Sequence, residues 1–237
     1  MSEWAAKRFW TEARVTEEGV GYGVALDARS VKTPAKAPLV VPTRALATAI
    51  AAEWDAIDEK IDPNKMPMTR SANAAIDKVA HQRAEVADMI AAYGETDLLC
   101  YRATSPQELV LRQCEEWDPM LDWADSALNA RLRPVSGVMP AAQAPEALEN
   151  LRCAVHAQDA FELTALHDLV SLSGSLVLGL AAQRGAREPS EIWQISRMDE
   201  AWQAELWGAD DEAEAMAEVK RAAFMHAQEF YCLVSEN

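Results

Sequence analysis

A change of hydrophobic period at Pro42–Thr43 divides the chain. Before it, Phe9, Thr11, Ala13 and Val15 alternate with Trp10, Glu12, Arg14 and Thr16, and after Glu17-Glu18-Gly19 a second alternation runs through Val20, Tyr22, Val24 and Leu26. A repeat of two is the pattern of half-buried strands. Asp27-Ala28-Arg29-Ser30 has turn chemistry, and Val31–Thr33 and Leu39–Val41 read as short strands cut by Pro34 and Pro38. The expected product is an antiparallel meander with weak edges. So small a sheet cannot bury its own face and needs a helix to cover it.

Beyond Pro42 the repeat is helical. Thr43 is an N-cap candidate, with Leu46, Ile50, Trp54 and Ile57 at helical spacing up to Asp62-Pro63. A second helix carries Ile76, Val79, Val86, Ile90 and Tyr93 before Gly94. Ser105-Pro106-Gln107-Glu108 reads as a helix start with Ser as N-cap, and Pro119 should interrupt the run that follows. After a loop over 140–145, helices are expected from Pro145, from near Asp159 through the small-residue run Ser171–Gly179, from Pro189 to Gly208, and over Asp210–Tyr231. With no fixed-period repeat, these helices predict a bundle rather than a solenoid. The fold class is therefore α+β, mostly α, divided as a small N-terminal sheet and helix layer over 1–70 and a multi-helix bundle over 71–237.

The 237 residues suit one large domain or two small ones, and the 50% hydrophobic content allows a real core. The net charge of -16 disfavours a nucleic-acid binder, which needs a basic face. That charge is not spread evenly: residues 1–80 hold 11 basic and 11 acidic side chains, so the remainder carries all of it. Cys100, Cys114, Cys153 and Cys232 form no C-x-x-C and no dense framework, which is ordinary thiol usage in a reducing compartment. The opening MSEWAAKRFW lacks a signal-peptide core, and Glu3 and Glu12 argue against a transit peptide. The longest apolar run, Leu169–Ala182, is shorter than the roughly 20 residues of a membrane span.

Motifs for catalysis and ligand binding are sparse. Gly19, Gly21 and Gly23 lack the strand–turn–helix context and spacing of a dinucleotide loop and read as hairpin glycines, and no P-loop is present, so no nucleotide is expected. Cys153 and His156, with His167 beyond, offer too few paired ligands for a structural metal and read as side chains packed within helices. His167-Asp168 with Ser171, Ser173 and Ser175 has the residue types of a hydrolase triad, but SLSGSLVLGL lacks G-x-S-x-G and is more simply a close helix-packing face. Neither a cofactor nor a metal is expected.

Tryptophan is unusually frequent: eight, against four Phe and four Tyr. Trp54, Trp117 and Trp123 fall where core packing is the default. The 188–218 stretch is different. It holds ten carboxylates against Arg197 alone, together with Trp193, Trp202 and Trp207. Trp202 and Trp207, flanked by Asp199, Glu200 and Glu205, suit either a core or a partner surface, since Trp is enriched in interface hot spots.

The block LDARSVKTPAKAPLVVPTRALATAIAAEWDAIDEKIDPNKMPMTRSANAAID, followed by ETDLLCYRATSPQELVLRQCEEWDPMLDWA, SLSGSLVLGLA and MDEAWQAELWG, resembles the assembly chaperones of the ATP synthase alpha subunit found in mitochondria and alphaproteobacteria. The likeness covers nearly the whole chain, in order, and rests on joint occurrence because no motif is a catalytic signature. The resemblance implies an N-terminal α/β layer followed by an orthogonal helical bundle. It implies a non-enzymatic chaperone that holds the free alpha subunit of the catalytic head against aggregation until beta subunit replaces it. It places the family's important acidic position at Asp199 or Glu200, and a bacterial form would act in the cytoplasm. The expected partner surface comprises Asp199, Glu200, Trp202, Glu205 and Trp207. Two other readings stand beside it: a hydrolase using His167 and nearby serines, and an acidic scaffold for some other basic partner.

Overall fold

A computed structural model describes residues 7–137, 139, 141–208 and 210–235. The first six residues, part of the stretch read for a leader, and Pro140, which opens the loop expected before Pro145, lie outside the described residues. Among the described residues, ten α-helices accompany a four-stranded antiparallel sheet and a two-stranded parallel pair, the α+β, mostly α, class that the sequence predicts. The chain divides into two compact units. One takes the described residues up to Arg83, Asp159–Ala165 and those from Glu229 onward; the other takes Ala84–Gln158 and Leu166–Gln228.

In the first unit, β1 (Ala13–Glu18) and β2 (Gly21–Leu26) form a hairpin in register from Ala13↔Leu26 to Glu18↔Gly21. On the opposite edge of β2 lie β3 (Arg29–Ser30) and β4 (Val40–Val41), both antiparallel to it. Gly21 is confined by its neighbours: a Cβ there would lie 2.7 Å from the Val41 carbonyl oxygen. Gly19, at a φ of +61°, makes the hairpin turn, and Gly21 and Gly23 lie in β2, so these are the hairpin glycines read from the sequence.

Two expectations need correction. Phe9–Glu12 is not strand, because the Thr11 and Glu12 amides donate to the Asp27 carboxylate instead of extending the ladder. Trp10 rather than Phe9 is then the buried residue, packed edge-on against Trp54 at 5.3 Å. Arg29–Ser30 is strand and not turn; the reversal is made at Asp27-Ala28, with Asp27 at a φ of +53°.

Helix α1 (Arg44–Asp55) covers the sheet, and its N-cap is Thr43, whose hydroxyl accepts from the Leu46 amide and donates to the Leu233 carbonyl. Leu46 and Ile50 pack with Val24, Leu26, Leu39, Val41 and Phe230. Helix α2 (Pro67–Asp77) lacks a side-chain cap of its own at Met66, so the Glu53 carboxylate supplies one by accepting from the Met68 and Thr69 amides. Val79 falls in a 3-10 turn between α2 and α3 (Arg83–Ala91), so the single helix expected over this span is two.

The second unit centres on α4 (Gln107–Leu128). Its N-cap is Pro106, with no side-chain cap bond from Ser105, and Pro119 lies inside an unbroken helix, both contrary to the sequence reading. Pro119 removes its own amide from the ladder and its ring crowds the carbonyl one turn earlier, and burial of Trp117, Met120 and Leu121 on either side outweighs that cost. Two short strands absent from the sequence reading, β5 (Tyr101–Arg102) and β6 (Val135–Ser136), pair in parallel. Helix α5 (Pro145–His156) begins at its proline as expected. The run from Asp159 breaks at Gly174, φ +74°, into α6 (Ala160–Ser173) and α7 (Leu176–Gln183), the latter capped by Ser175. A Cβ at Gly179 would meet Val170 Cγ2 at 2.5 Å, so this is indeed a close helix-packing face. The run from Pro189 likewise divides at Arg197 into α8 (Pro189–Ser196) and α9 (Met198–Trp207); α10 (Asp211–Ser235) is the last helix.

Candidate functional site

The second unit is organised around one buried carboxylate. Asp97 accepts hydrogen bonds from the Leu99 amide at 3.1 Å, the Ser175 hydroxyl at 2.7 Å and the Val177 amide at 3.0 Å, and is fully buried. Burial drives its pKa above the ordinary carboxylate value, against those three bonds. Near it, Arg102 donates to the Leu99 and Gln113 carbonyls and pairs with Asp118 at 2.7 Å over the face of Trp117. These contacts fix α4, and Trp117 Nε1 in turn donates to the Ile195 carbonyl in α8.

From this frame projects α9. The five residues expected to form one surface divide between two faces of it. Asp199, Trp202 and Glu205 turn toward α4. Asp199 accepts from Gln113 Nε2 at 2.7 Å, Glu205 pairs with Arg112 at 2.8 Å, and the Arg112 guanidinium lies 5.0 Å from the centre of the Trp202 ring. The Arg112 bond lowers the Glu205 pKa and raises that of Arg112. Glu200 and Trp207 lie on the other side, where Glu200 pairs with Arg197 at 2.8 Å and Trp207 is 79% exposed.

That second face lines a groove of about 450 Å³. Its α9 wall is Glu200, Gln203, Ala204 and Trp207, its α10 wall Ala213, Glu214 and Ala217, and Trp193 of α8 lines it as well. A second cleft of about 670 Å³ lies on the α4 side, with Arg112, Glu116, Arg187 and Glu205 in its lining; there Arg112 pairs with Glu205 and Arg187 with Glu116. Sequence reasoning missed Arg112, Gln113 and Arg187. Nothing in their spacing ties them to the site: Arg112 and Gln113 meet α9 only through the fold, and Arg187 meets Glu116 of α4. The alanines were readable: 201 and 204, and 213 and 217, recur at helical spacing on two successive helices.

The hydrolase constellation is not assembled. His167 is exposed and its Nδ1 bonds Asp168 at 2.9 Å, which raises its pKa. The Ser171 hydroxyl donates to the Asp168 carbonyl, that of Ser173 to the Leu169 carbonyl and that of Ser175 to Asp97. Cys153 is not packed within its helix as expected: it is exposed and donates to Glu149, while His156 bonds Asp88 at 2.7 Å. Among the described residues no group of three or more His, Cys, Asp or Glu could hold a metal ion, and no helix is long and apolar enough to cross a membrane.

Comparison with known proteins decides the family. The model of the ATP12 chaperone protein family matches residues 7–125. The crystal structure of Atp12 from Paracoccus denitrificans superposes with a TM-score of 0.95 at 52% sequence identity, over 98% of this chain and 100% of that one. This chain belongs to the ATP12 chaperone family. An aspartate-to-lysine mutant of the P. denitrificans protein matches with a TM-score of 0.96 at 52% identity over 98% and 100% of the two chains. The Atu1473 protein of Agrobacterium tumefaciens matches with a TM-score of 0.90 at 40% identity over 97% of this chain and 85% of its own. The assembly-chaperone family read from the motifs is the one found, and the motifs are now seen to hold the fold together: Asp97 and Arg102 come from ETDLLCYR, Ser175 and Gly179 from SLSGSLVLGLA.

Proposed function

We propose that this chain acts in ATP synthase assembly by binding the free alpha subunit of the catalytic head and keeping it soluble until beta subunit takes its place. The observation that carries this reading is family membership at 52% identity over nearly the whole chain. The physical logic is consistent with it. A subunit awaiting assembly exposes an apolar interface that aggregates unless covered. Cover that must later be released is better made from a polar, charge-steered surface than from an obligate apolar one. Helix α9 offers such a surface on the face of Glu200 and Trp207, with Asp199, Trp202 and Glu205 held against α4 behind it, in a part of the chain where carboxylates outnumber bases ten to one. Of the two acidic candidates, Asp199 is the one held by a buried partner, Gln113, and Glu200 the exposed one, able to meet another protein at the cost of its pair with the half-buried Arg197.

In this reading the protein has no catalytic residue, nucleotide, metal or cofactor, and works in the bacterial cytoplasm. The test is whether the purified protein suppresses aggregation of isolated alpha subunit and co-purifies with it. Charge reversal at Asp199 and Glu200 together should weaken capture with helical circular dichroism retained. Failure of the unaltered protein to hold alpha subunit in solution would end the proposal, and equal protection of unrelated basic proteins would favour a generic acidic scaffold.

A further inference from the structure

We infer that the groove between α9 and α10 receives a basic amphipathic helix of the client protein, with apolar side chains against Trp207 and the alanines and Lys or Arg against the acidic rim. The inference rests on the chaperone reading above and names the chemistry of what that site takes.

Three observations converge on this groove. First, its two walls are single helix faces: 200, 203, 204 and 207 recur at helical spacing on α9, and 213, 214 and 217 on α10. Between them the small side chains of Ala201, Ala204, Ala213 and Ala217 leave room for a third helix to approach. Second, a large aromatic side chain of its wall stands in solvent. Trp207, which lines it, is 79% exposed, and Trp193 lines it from α8. Trp is a residue of interface hot spots, and grooves of this form recognise amphipathic helices through anchors at i, i+3, i+4 and i+7. Third, the charge around it is one-sided. Glu200, Asp210 and Glu214 line it against Arg197 alone, whose guanidinium pairs with Glu200 and lies 5.7 Å from the Trp193 ring. An acidic helix would be repelled there, and a basic one attracted. The ten residues of α9 extend about 15 Å at 1.5 Å per residue, which fits roughly three turns of an occupant.

The cleft on the α4 side is the weaker candidate, because its Arg112 and Arg187 are already paired with Glu205 and Glu116 of this same chain. Asp199, Trp202 and Glu205 therefore act as positioning residues, which hold α9 so that its other face can bind.

The test uses the full chain co-expressed with alpha subunit. Ala213→Trp fills the groove from an exposed position, Trp207→Ala removes its aromatic wall, and Leu111→Ala, exposed on α4 outside the groove, is the control. Both groove variants should capture alpha subunit at least tenfold less well, with the control and all circular dichroism spectra unchanged. If the unaltered protein captures no alpha subunit, the chaperone reading itself fails. If it does capture and both groove variants match it, the groove assignment is overturned while the chaperone reading stands. A photoreactive phenylalanine analogue placed at Gln203, a position whose side chain is already long and exposed at the groove, gives an independent result. Its crosslink should fall on a client segment with Lys or Arg and apolar residues at helical spacing; a crosslink to a segment without basic residues overturns the proposal.

Discussion

Removing the Asp97 carboxylate should cost the second unit a large part of its stability. In Asp97→Ala the Leu99 and Val177 amides lose their acceptor inside a fully buried site, while the Ser175 hydroxyl can turn toward another partner. A buried donor left without a partner costs about 1–3 kcal/mol, so two fixed amides give roughly 2–6 kcal/mol. Release of the carboxylate from its desolvated position offsets part of this, since its pKa is raised by burial. A net loss of about 2–4 kcal/mol is expected, against typical domain stabilities of about 5–15 kcal/mol. Asp97→Asn keeps an acceptor for Leu99 and Ser175 but turns an amide toward the Val177 N–H, and should fall between the parent and the alanine variant. Urea unfolding followed by circular dichroism measures this as a drop in midpoint at unchanged slope. The raised pKa fixes the pH trend. The contribution of Asp97 is fullest below its unfolded value and declines as pH rises through the folded one, so the asparagine variant should gain on the parent with rising pH. A loss under about 1 kcal/mol for Asp97→Ala, or the opposite pH trend, would refute the reasoning.

Other substitutions test separate contacts. Gly179→Ala should destabilise by about 1–3 kcal/mol in thermal melts, because its Cβ would overlap Val170 in a filled core. Gln113→Leu strands the Ala103 amide and frees Asp199, and should cost about 1–3 kcal/mol while speeding amide hydrogen exchange across α9. Arg112→Ala, which breaks an exposed pair, should leave the urea midpoint nearly unchanged yet produce the same faster exchange in α9. The His167–Asp168 pair raises the His167 pKa, so its stabilisation is present below the ordinary histidine value and fades as pH rises through the raised one; His167→Gln should remove that slope from pH-dependent melts.

Local signals carried much of this structure. Thr43 at its cap, the strand glycines and the proline starts at 145 and 189 act through neighbours a few residues away, and could be read directly. The errors share one cause. Pro119 remains inside α4 because long-range burial outweighs a local breaker, and β5 and β6 are strands only because residues more than thirty positions apart meet. The same limit applied at the candidate site. Sequence grouped five residues along α9 by proximity, whereas Gln113 and Arg112, distant in the chain, divide them into an anchored face and a free one. Acidic character was legible as a total; that Glu53, Asp55, Asp77 and Asp97 spend theirs on backbone amides within the fold was not.

The placement of Trp207 has an optical consequence. Trp10, Trp117 and Trp193 are buried, Trp54, Trp123 and Trp202 partly so, and Trp207 alone among the described tryptophans stands in solvent. Among these tryptophans its indole should therefore emit furthest to the red and be the first quenched by acrylamide, a neutral quencher that the acidic rim does not repel. Whatever fills the groove beside it would shift that component to the blue and shield it from quencher, so occupancy can be followed without adding a label.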